Sequence, residues 1–218
     1  MRLALFDLDN TLIAGDSDHA WGEFLIAIGA VDEATYRAEN DRYLSAYSAG
    51  TLDIMDYLSF SLAPLARYPK AQLDEWHCQF MQDVITPLIL PKAQALVAEH
   101  RARGDYVMVV TATNRFVTEP IADAFGVDEL IAIELETHEG AYTGRVKGVP
   151  SFQGGKVTRL EAWLEQHPEI SRDGIHFYSD SRNDLPLLER VDHPVAVDPD
   201  PVLEETARAR GWPIMSLR

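Results

Sequence analysis

The sequence predicts an α/β fold, a doubly wound parallel sheet with an all-helical segment inserted after the first strand. Three observations carry this. Continuous apolar runs such as Tyr106-Val107-Met108-Val109-Val110 have the pattern of strands buried on both faces of a parallel sheet. From residue 91 onward such runs alternate with helical segments, which is the order of β-α-β crossovers. Between the first apolar run and the second, the stretch from about Asp16 to Pro87 carries helical periodicity alone.

The first strand is the short run Arg2-Leu3-Ala4-Leu5, leading into Phe6-Asp7-Leu8-Asp9-Asn10-Thr11. Ser17 or Asp18 then caps a helix carrying Trp21, Phe24, Leu25 and Ile28 and stopped by Gly29. A second helix carries Tyr36, Tyr43 and Tyr47 and stops at Gly50. The third starts at Thr51 or Asp53, carries Ile54, Tyr57, Leu58 and Leu62, and stops near Pro64; the fourth runs from about Lys70 through Leu73, Trp76, Phe80 and Val84. These read as a small bundle whose aromatic residues form its core rather than a ligand cage. A helix over Pro91 to Arg103 precedes the strand at 106–110. A strand over Leu130 to Leu135 turns through Thr137-His138-Glu139-Gly140 into a short partner with Tyr142 and Val146. A helix follows Gly154-Gly155, then a strand at Ile175 to Tyr178, a short helix from Asp184 to Arg190, and a strand at Pro194 to Val197. A helix from Pro201 to Arg210 and a strand near Pro213-Ile214-Met215 complete the alternation.

With 218 residues, 46% of them hydrophobic, the chain has ample material for a packed interior. A formal net charge of −16 argues against nucleic acid and anionic membranes as partners. Cys78 is the only cysteine, which excludes an intramolecular disulfide and suits a reducing cytoplasm. It reads as a small buried hydrophobe. The first strand leaves no room for a signal-peptide apolar region, and no run approaches the ~18 apolar residues of a membrane span. The oligomeric state is not legible in the sequence.

Chemistry concentrates at the strand ends. Strand side chains alternate faces, so Asp7 and Asp9 point the same way. Two unit charges about 4 Å apart repel by roughly 4 kcal/mol at an effective dielectric near 20, which calls for a cation or a shared proton. Asp180 and Asp184, at the end of a later strand, sharpen the need. Hard oxygen ligands in this number suit Mg²⁺, and Lys156 suits a phosphate. Each piece also has a plainer reading. Asp9-Asn10 fits a turn, Ser181 to Asp184 a capping box, Thr111 a strand position, and Lys156 an exposed residue of a first helical turn. Four such pieces in order at strand ends or helix starts favour a site.

Asp7-Leu8-Asp9-Asn10-Thr11 resembles the first motif of the haloacid dehalogenase superfamily of phosphatases. Val109-Val110-Thr111-Ala112-Thr113, Gly155-Lys156 and Tyr178-Ser179-Asp180-Ser181-Arg182-Asn183-Asp184 resemble its second, third and fourth motifs. The stretch Glu136 to Val146 further resembles the phosphoserine-phosphatase-like branch, subfamily IB, with its helical C1-type cap. The resemblance implies a Rossmann-like catalytic core over residues 1–14 and 88–218 and a cap over 15–87. It implies Asp7 as the nucleophile that carries an aspartyl phosphate, and Asp9 as the acid and then the base. Thr111 and Lys156 would hold phosphate, with the backbone at Leu8 and Ala112 and with Asn183 in support. Mg²⁺ would sit between Asp7, the carbonyl of Asp9 and Asp180, with Asp184 behind them.

An acidic side chain a few residues past the first motif faces the substrate ammonium in that branch. Asp16 occupies the region here, with Asp18 and His19 beside it. The implied partner is therefore a small amine-bearing phosphorylated metabolite, with phosphoserine and histidinol phosphate as equal candidates. A substrate carboxylate would need Arg37, Arg42 or Arg67. A phosphomutase is the near alternative. A receiver-like phosphorylation switch is the distant one, set aside by Asp9, the inserted helices and the Asp180/Asp184 couple.

Overall fold

The computed structural model describes residues 1–218. Its principal sheet has six parallel strands in the order β3-β2-β1-β6-β7-β8, formed by β1 (Leu3–Phe6), β2 (Tyr106–Asn114), β3 (Glu129–Ile133), β6 (His176–Ser179), β7 (His193–Val197) and β8 (Ile214–Met215). The chain winds from β1 through β2 to β3 on one side and returns to build β6 to β8 on the other. The strand order therefore reverses between β1 and β6, where an open α/β sheet has its crevice. A two-stranded antiparallel ribbon, β4 (Leu135–His138) and β5 (Ala141–Val146), stands apart.

Alternation along β1 divides the interior. Leu3 and Leu5 face a cluster with Met108, Val110, Leu160, Leu187 and Leu203, supplied by α8 (Gly154–Gln166), α9 (Leu185–Leu188) and α10 (Pro201–Arg210). Ala4 and Phe6 face the other way, into a cluster that includes Val107, Val109 and residues of the inserted helices. Those helices are α1 (Ser17–Ala27), α2 (Glu33–Ala49), α3 (Ile54–Ser61), α4 (Ala63–Arg67) and α5 (Lys70–Phe80). Trp21, Phe24, Leu58 and Phe80 belong to the same apolar cluster as Phe6, so the insertion packs as a continuation of one sheet layer. The bridge Ile13–Ile89 joins the two connections that lead into and out of it.

Several elements differ from the sequence reading. The first inserted helix is capped by Asp16, whose carboxylate accepts from the amides of Asp18 and His19, rather than by Ser17 or Asp18. The third gives way to the five-residue α4, with Pro64 tolerated in its opening turn. The fourth passes into a π turn at Met81–Ile85 and a 3₁₀ turn at Thr86–Leu88. The expected strand over 130–135 breaks at Glu134, whose carboxylate is held by Arg115 and Arg159, and Leu135 starts the ribbon.

Helix α7 (Arg115–Phe125), absent from the sequence reading, contains Pro120. Asn114 caps it, and burial of Phe116, Val117, Ile121 and Phe125 outweighs the backbone bond that proline forfeits. Between the insertion and β2 lies α6 (Pro91–Ala102), where it was expected. Cys78 is exposed, not buried. The inward face of α5 runs through Leu73, His77 and Phe80, which leaves position 78 outside. No helix is long and apolar enough to cross a membrane.

Candidate active site

Asp7 follows β1, Thr111 lies in the last part of β2, and Asp180 follows β6, so three neighbouring strands deliver side chains to one edge of the sheet. Lys156, in the first turn of α8, is only 1% exposed. Its Nζ lies 2.7 Å from Asp7 Oδ1 and 2.7–2.8 Å from the two oxygens of Asp184. The α8 start that presents it is tightly built. Gln153 adopts a positive φ of 47°, and a Cβ on Gly155 would meet the Pro150 carbonyl oxygen at 2.0 Å. Asp184 is also held by the hydroxyl of Ser179, at 2.7 Å. Ser181 caps the short turn Arg182–Asp184, but the expected capping box does not close: the Ser181 amide donates to Ser179 Oγ, and the Asp184 carboxylate turns to Lys156 and Ser179 instead.

Asp9 is clamped at both oxygens: the Ser17 amide donates to Oδ1 at 2.6 Å and the Thr113 hydroxyl to Oδ2 at 2.9 Å. Thr11 donates to Asp180 Oδ1 at 3.0 Å and accepts from the Asp180 amide at 3.1 Å. The Thr111 hydroxyl oxygen accepts from the Thr113 amide, and Ser151 donates to the Thr111 carbonyl. The sequence reading assigns Ser17 only a helix-capping role and gives Thr11, Thr113 and Ser179 no role of their own. The signal available for those three is their place inside the first, second and fourth motifs. Asn183 does not turn toward Asp7; its amide nitrogen donates to the Tyr47 carbonyl and its oxygen accepts from Gln153, which ties α2 to the sheet edge.

Burial and crowding of like charge set the electrostatics. Burial raises Asp7 to about 6; the Lys156 ammonium pulls the other way and Asp184 adds to the rise. Asp9 is pushed well above the carboxylate range by burial and then by Asp16, and Asp180 by burial and then by Asp7 and Asp184. Burial opposes the charge on Lys156, but Asp184 and Asp7 outweigh it and keep the ammonium charged. One lysine thus faces more acid than it can neutralise. Thr11 occupies only one oxygen of Asp180, and two carboxylates plus a backbone carbonyl form a hard-oxygen donor set that fits Mg²⁺.

A narrow cavity opens from Asp7, Asp9, Thr111, Ala112 and Thr113 toward the inserted helices. Leu8, between the two carboxylates, is fully buried and does not line it. Asp16, Asp18 and His19 line the cavity, as the sequence reading expects, although His19 directs Nε2 to Asp41 at 3.0 Å. Tyr43, Tyr47 and Tyr57 line it too, so only part of the aromatic set, Trp21 and Phe24 among it, is pure core. None of Arg37, Arg42 and Arg67 reaches the cavity. Arg37 pairs with Glu23 and Glu33, Arg42 pairs with Glu39 and lies over the Tyr43 ring, and Arg67 lines a separate cleft beside Val31 and Tyr36.

Comparison with known proteins identifies the family. The family model described as haloacid dehalogenase-like hydrolase matches residues 4–189. A histidinol-phosphatase of Neisseria meningitidis serogroup C (strain 8013) is 48% identical over 220 residues, spanning 100% of this chain and 99% of that relative. A crystal structure of a Bordetella pertussis Tohama I protein of unknown function superposes with a TM-score of 0.93 at 46% identity, covering 100% of this chain and 99% of that one. A phospho-aspartyl intermediate analogue of phosphoserine phosphatase shares the fold, with a TM-score of 0.72 at 21% identity over 99% of this chain and 93% of that one. By the extent of these matches and the motifs they span, the chain belongs to the haloacid dehalogenase-like hydrolase family and is one of its phosphatases.

Proposed function

We propose that the protein is a Mg²⁺-dependent phosphomonoester hydrolase that works through an aspartyl phosphate on Asp7 and acts on a small amine-bearing metabolite without a carboxylate, with histidinol phosphate as its substrate. The observation that carries the chemistry is the convergence of buried Asp7, Lys156 and Asp184 with half-buried Asp9 and Asp180 at the point where the strand order reverses. In this reading residues 15–87 form the cap over a core of 1–14 and 88–218.

Lys156 holds Oδ1 of Asp7, which leaves Oδ2 to attack phosphorus. As the P–O bond to the substrate breaks, Asp9 gives its proton to the leaving alkoxide. The same carboxylate then takes a proton from the water that attacks the acyl phosphate. The new P–O bond forms, the bond to Asp7 breaks, and inorganic phosphate leaves. Asp9 suits this duty because its pKa is raised and both its oxygens are held. The Thr111 hydroxyl, accepting from the Thr113 amide, keeps its own proton free for a phosphate oxygen, and Ala112 lines the same cavity. Asp7, Asp180 and the Asp9 carbonyl would hold Mg²⁺, which when bound offsets the charge of the transferring phosphoryl group. Asp184 supports Lys156 from behind.

Two findings favour histidinol phosphate over phosphoserine. No lysine or arginine lines the cavity, whereas Asp9, Asp16 and Asp18 do, so a substrate carboxylate would face acids with no guanidinium or ammonium to pair with. The relative at 48% identity is a histidinol-phosphatase. The single cysteine makes a reducing cytoplasm the fitting compartment. The test is phosphate release, with and without EDTA, from histidinol phosphate, phosphoserine, a sugar phosphate and a nucleotide. Metal-dependent release led by histidinol phosphate is expected; a lead for phosphoserine would overturn the substrate, and transfer to a sugar instead of water would make the protein a mutase.

A further inference from the structure

We infer that Asp18, not Asp16, anchors a protonated nitrogen of the substrate. The inference rests on the phosphatase reading above and adds to it the residue that reads the cation. Both carboxylates line the cavity, yet they are differently engaged. Asp16 is the N-cap of α1: its Oδ1 accepts the Asp18 amide at 3.0 Å and the His19 amide at 2.8 Å, so one of its oxygens is already engaged at the helix start. Asp18 is only 8% exposed, and its hydrogen-bonding neighbours are uncharged. The Asn114 amide reaches it at a long 3.4 Å, and the Tyr57 hydroxyl lies near.

No lysine or arginine pairs with Asp18, and the one histidine at the cavity wall turns Nε2 to Asp41 instead. A carboxylate buried without a counter-charge is costly, and a cation arriving in the cavity relieves that cost. Burial, with the charge of Asp16 beside it, pushes Asp18 up to about 7, in keeping with a carboxylate awaiting a cation. The rest of the wall suits the same guest. Tyr43, Tyr47 and Tyr57 with Phe152 bring aromatic rings to the cavity, and such faces attract cationic nitrogen. A substrate with its phosphate at Asp7 and its cationic end toward α1 and α3 would present a protonated nitrogen to Asp18.

The test compares kcat/KM for histidinol phosphate, for 3-(imidazol-4-yl)propyl phosphate, which lacks only the amine, and for n-butyl phosphate, which lacks both basic groups. In the wild type the basic esters are expected to lead. In Asp18→Asn the ratio of basic to neutral ester should fall about tenfold or more, through KM rather than kcat. Asp18→Glu should keep most of the ratio, and Asp16→Asn, which preserves a good N-cap, should lower it less than Asp18→Asn. Asp18→Ser repeats the measurement if the asparagine variant does not fold, as judged by thermal unfolding. The basic ester whose advantage falls identifies the nitrogen that is read. An unchanged ratio in Asp18→Asn or Asp18→Ser, or a larger fall in Asp16→Asn, overturns the anchor alone. Release from none of the esters by the wild type removes the phosphatase reading and the anchor with it.

Discussion

Asp7 and Asp9 stand two positions apart, yet their surroundings divide their duties. Lys156 holds one oxygen of Asp7, while Asp9 is set among neutral donors and near another acid. Asp7→Asn should therefore abolish phosphate release, while Asp9→Asn should slow hydrolysis of the aspartyl phosphate so that a phosphoenzyme accumulates, visible as an added phosphate by intact-protein mass spectrometry. An active Asp7→Asn protein would remove the nucleophile assignment. Lys156 has a structural duty as well. Lys156→Ala leaves Asp7 and Asp184 buried without their cation and should cost about 3–5 kcal/mol of stability in urea unfolding. A loss below ~1 kcal/mol would mean that the acids had protonated or found other partners. The residue types at these places were legible in sequence because strand ends and motif spacing mark them. Thr11, Ser17 and Thr113 were less so, since each acts through a bond to a residue that only the fold brings near.

At the scale of elements, the junction between β3 and β4 shows how one side chain redirects a strand. Glu134 accepts from Arg115 of α7 and Arg159 of α8, which joins two helices to the sheet edge. Burial alone would raise its pKa, but the bond to Arg115, then the charges of Arg115 and Arg159, outweigh it and hold Glu134 below the usual glutamate value. A carboxylate whose folded pKa is depressed contributes stability that is full above the unfolded value, near 4.5, and is lost as pH falls through the folded one. Stability measured by urea unfolding should thus differ between wild type and Glu134→Gln at pH 6, and the difference should shrink as the pH drops below about 4. A difference independent of pH would show that the network contributes through packing alone. Helix α7, next to this junction, was hidden from the sequence reading by Pro120, whose penalty counts fully in an isolated helix and is outweighed here by the buried face of Phe116, Ile121 and Phe125.

Over the whole molecule, a net charge of −16 acts against the compact state by self-repulsion. Raising ionic strength from about 0.01 M to 0.15 M shortens the screening length from about 30 Å to about 8 Å, so the Tm at pH 7 should rise. A Tm that fell with salt would mean that the attractive ion pairs, such as Lys70–Asp74 and Arg208–Glu204, outweigh the repulsion. The same acidity does not prevent phosphate binding, because the local field at Lys156 and at a bound cation governs the site. The insertion, expected to be a bundle with its own aromatic core, shares its interior with one face of the sheet. Tyr43, Tyr47 and Tyr57 are thereby left free to line the cavity, a division of labour that helical periodicity does not encode.

By itself the sequence determined the α/β class, the place of the inserted helices and the positions of Asp7, Asp9, Thr111, Lys156, Asp180 and Asp184. Strand runs have a short period, and motif residues sit at a fixed offset from a strand's end, so local pattern is enough. Tertiary structure alone decided that Asp16 would cap α1 while Asp18 faced the cavity, that Arg37, Arg42 and Arg67 would be spent elsewhere, and that Asn183 would tether α2. Those outcomes depend on which partner is nearest in space. Residues separated by a hundred positions or more, such as Asp9 and Thr113 or Lys156 and Asp7, meet only when the sheet has formed.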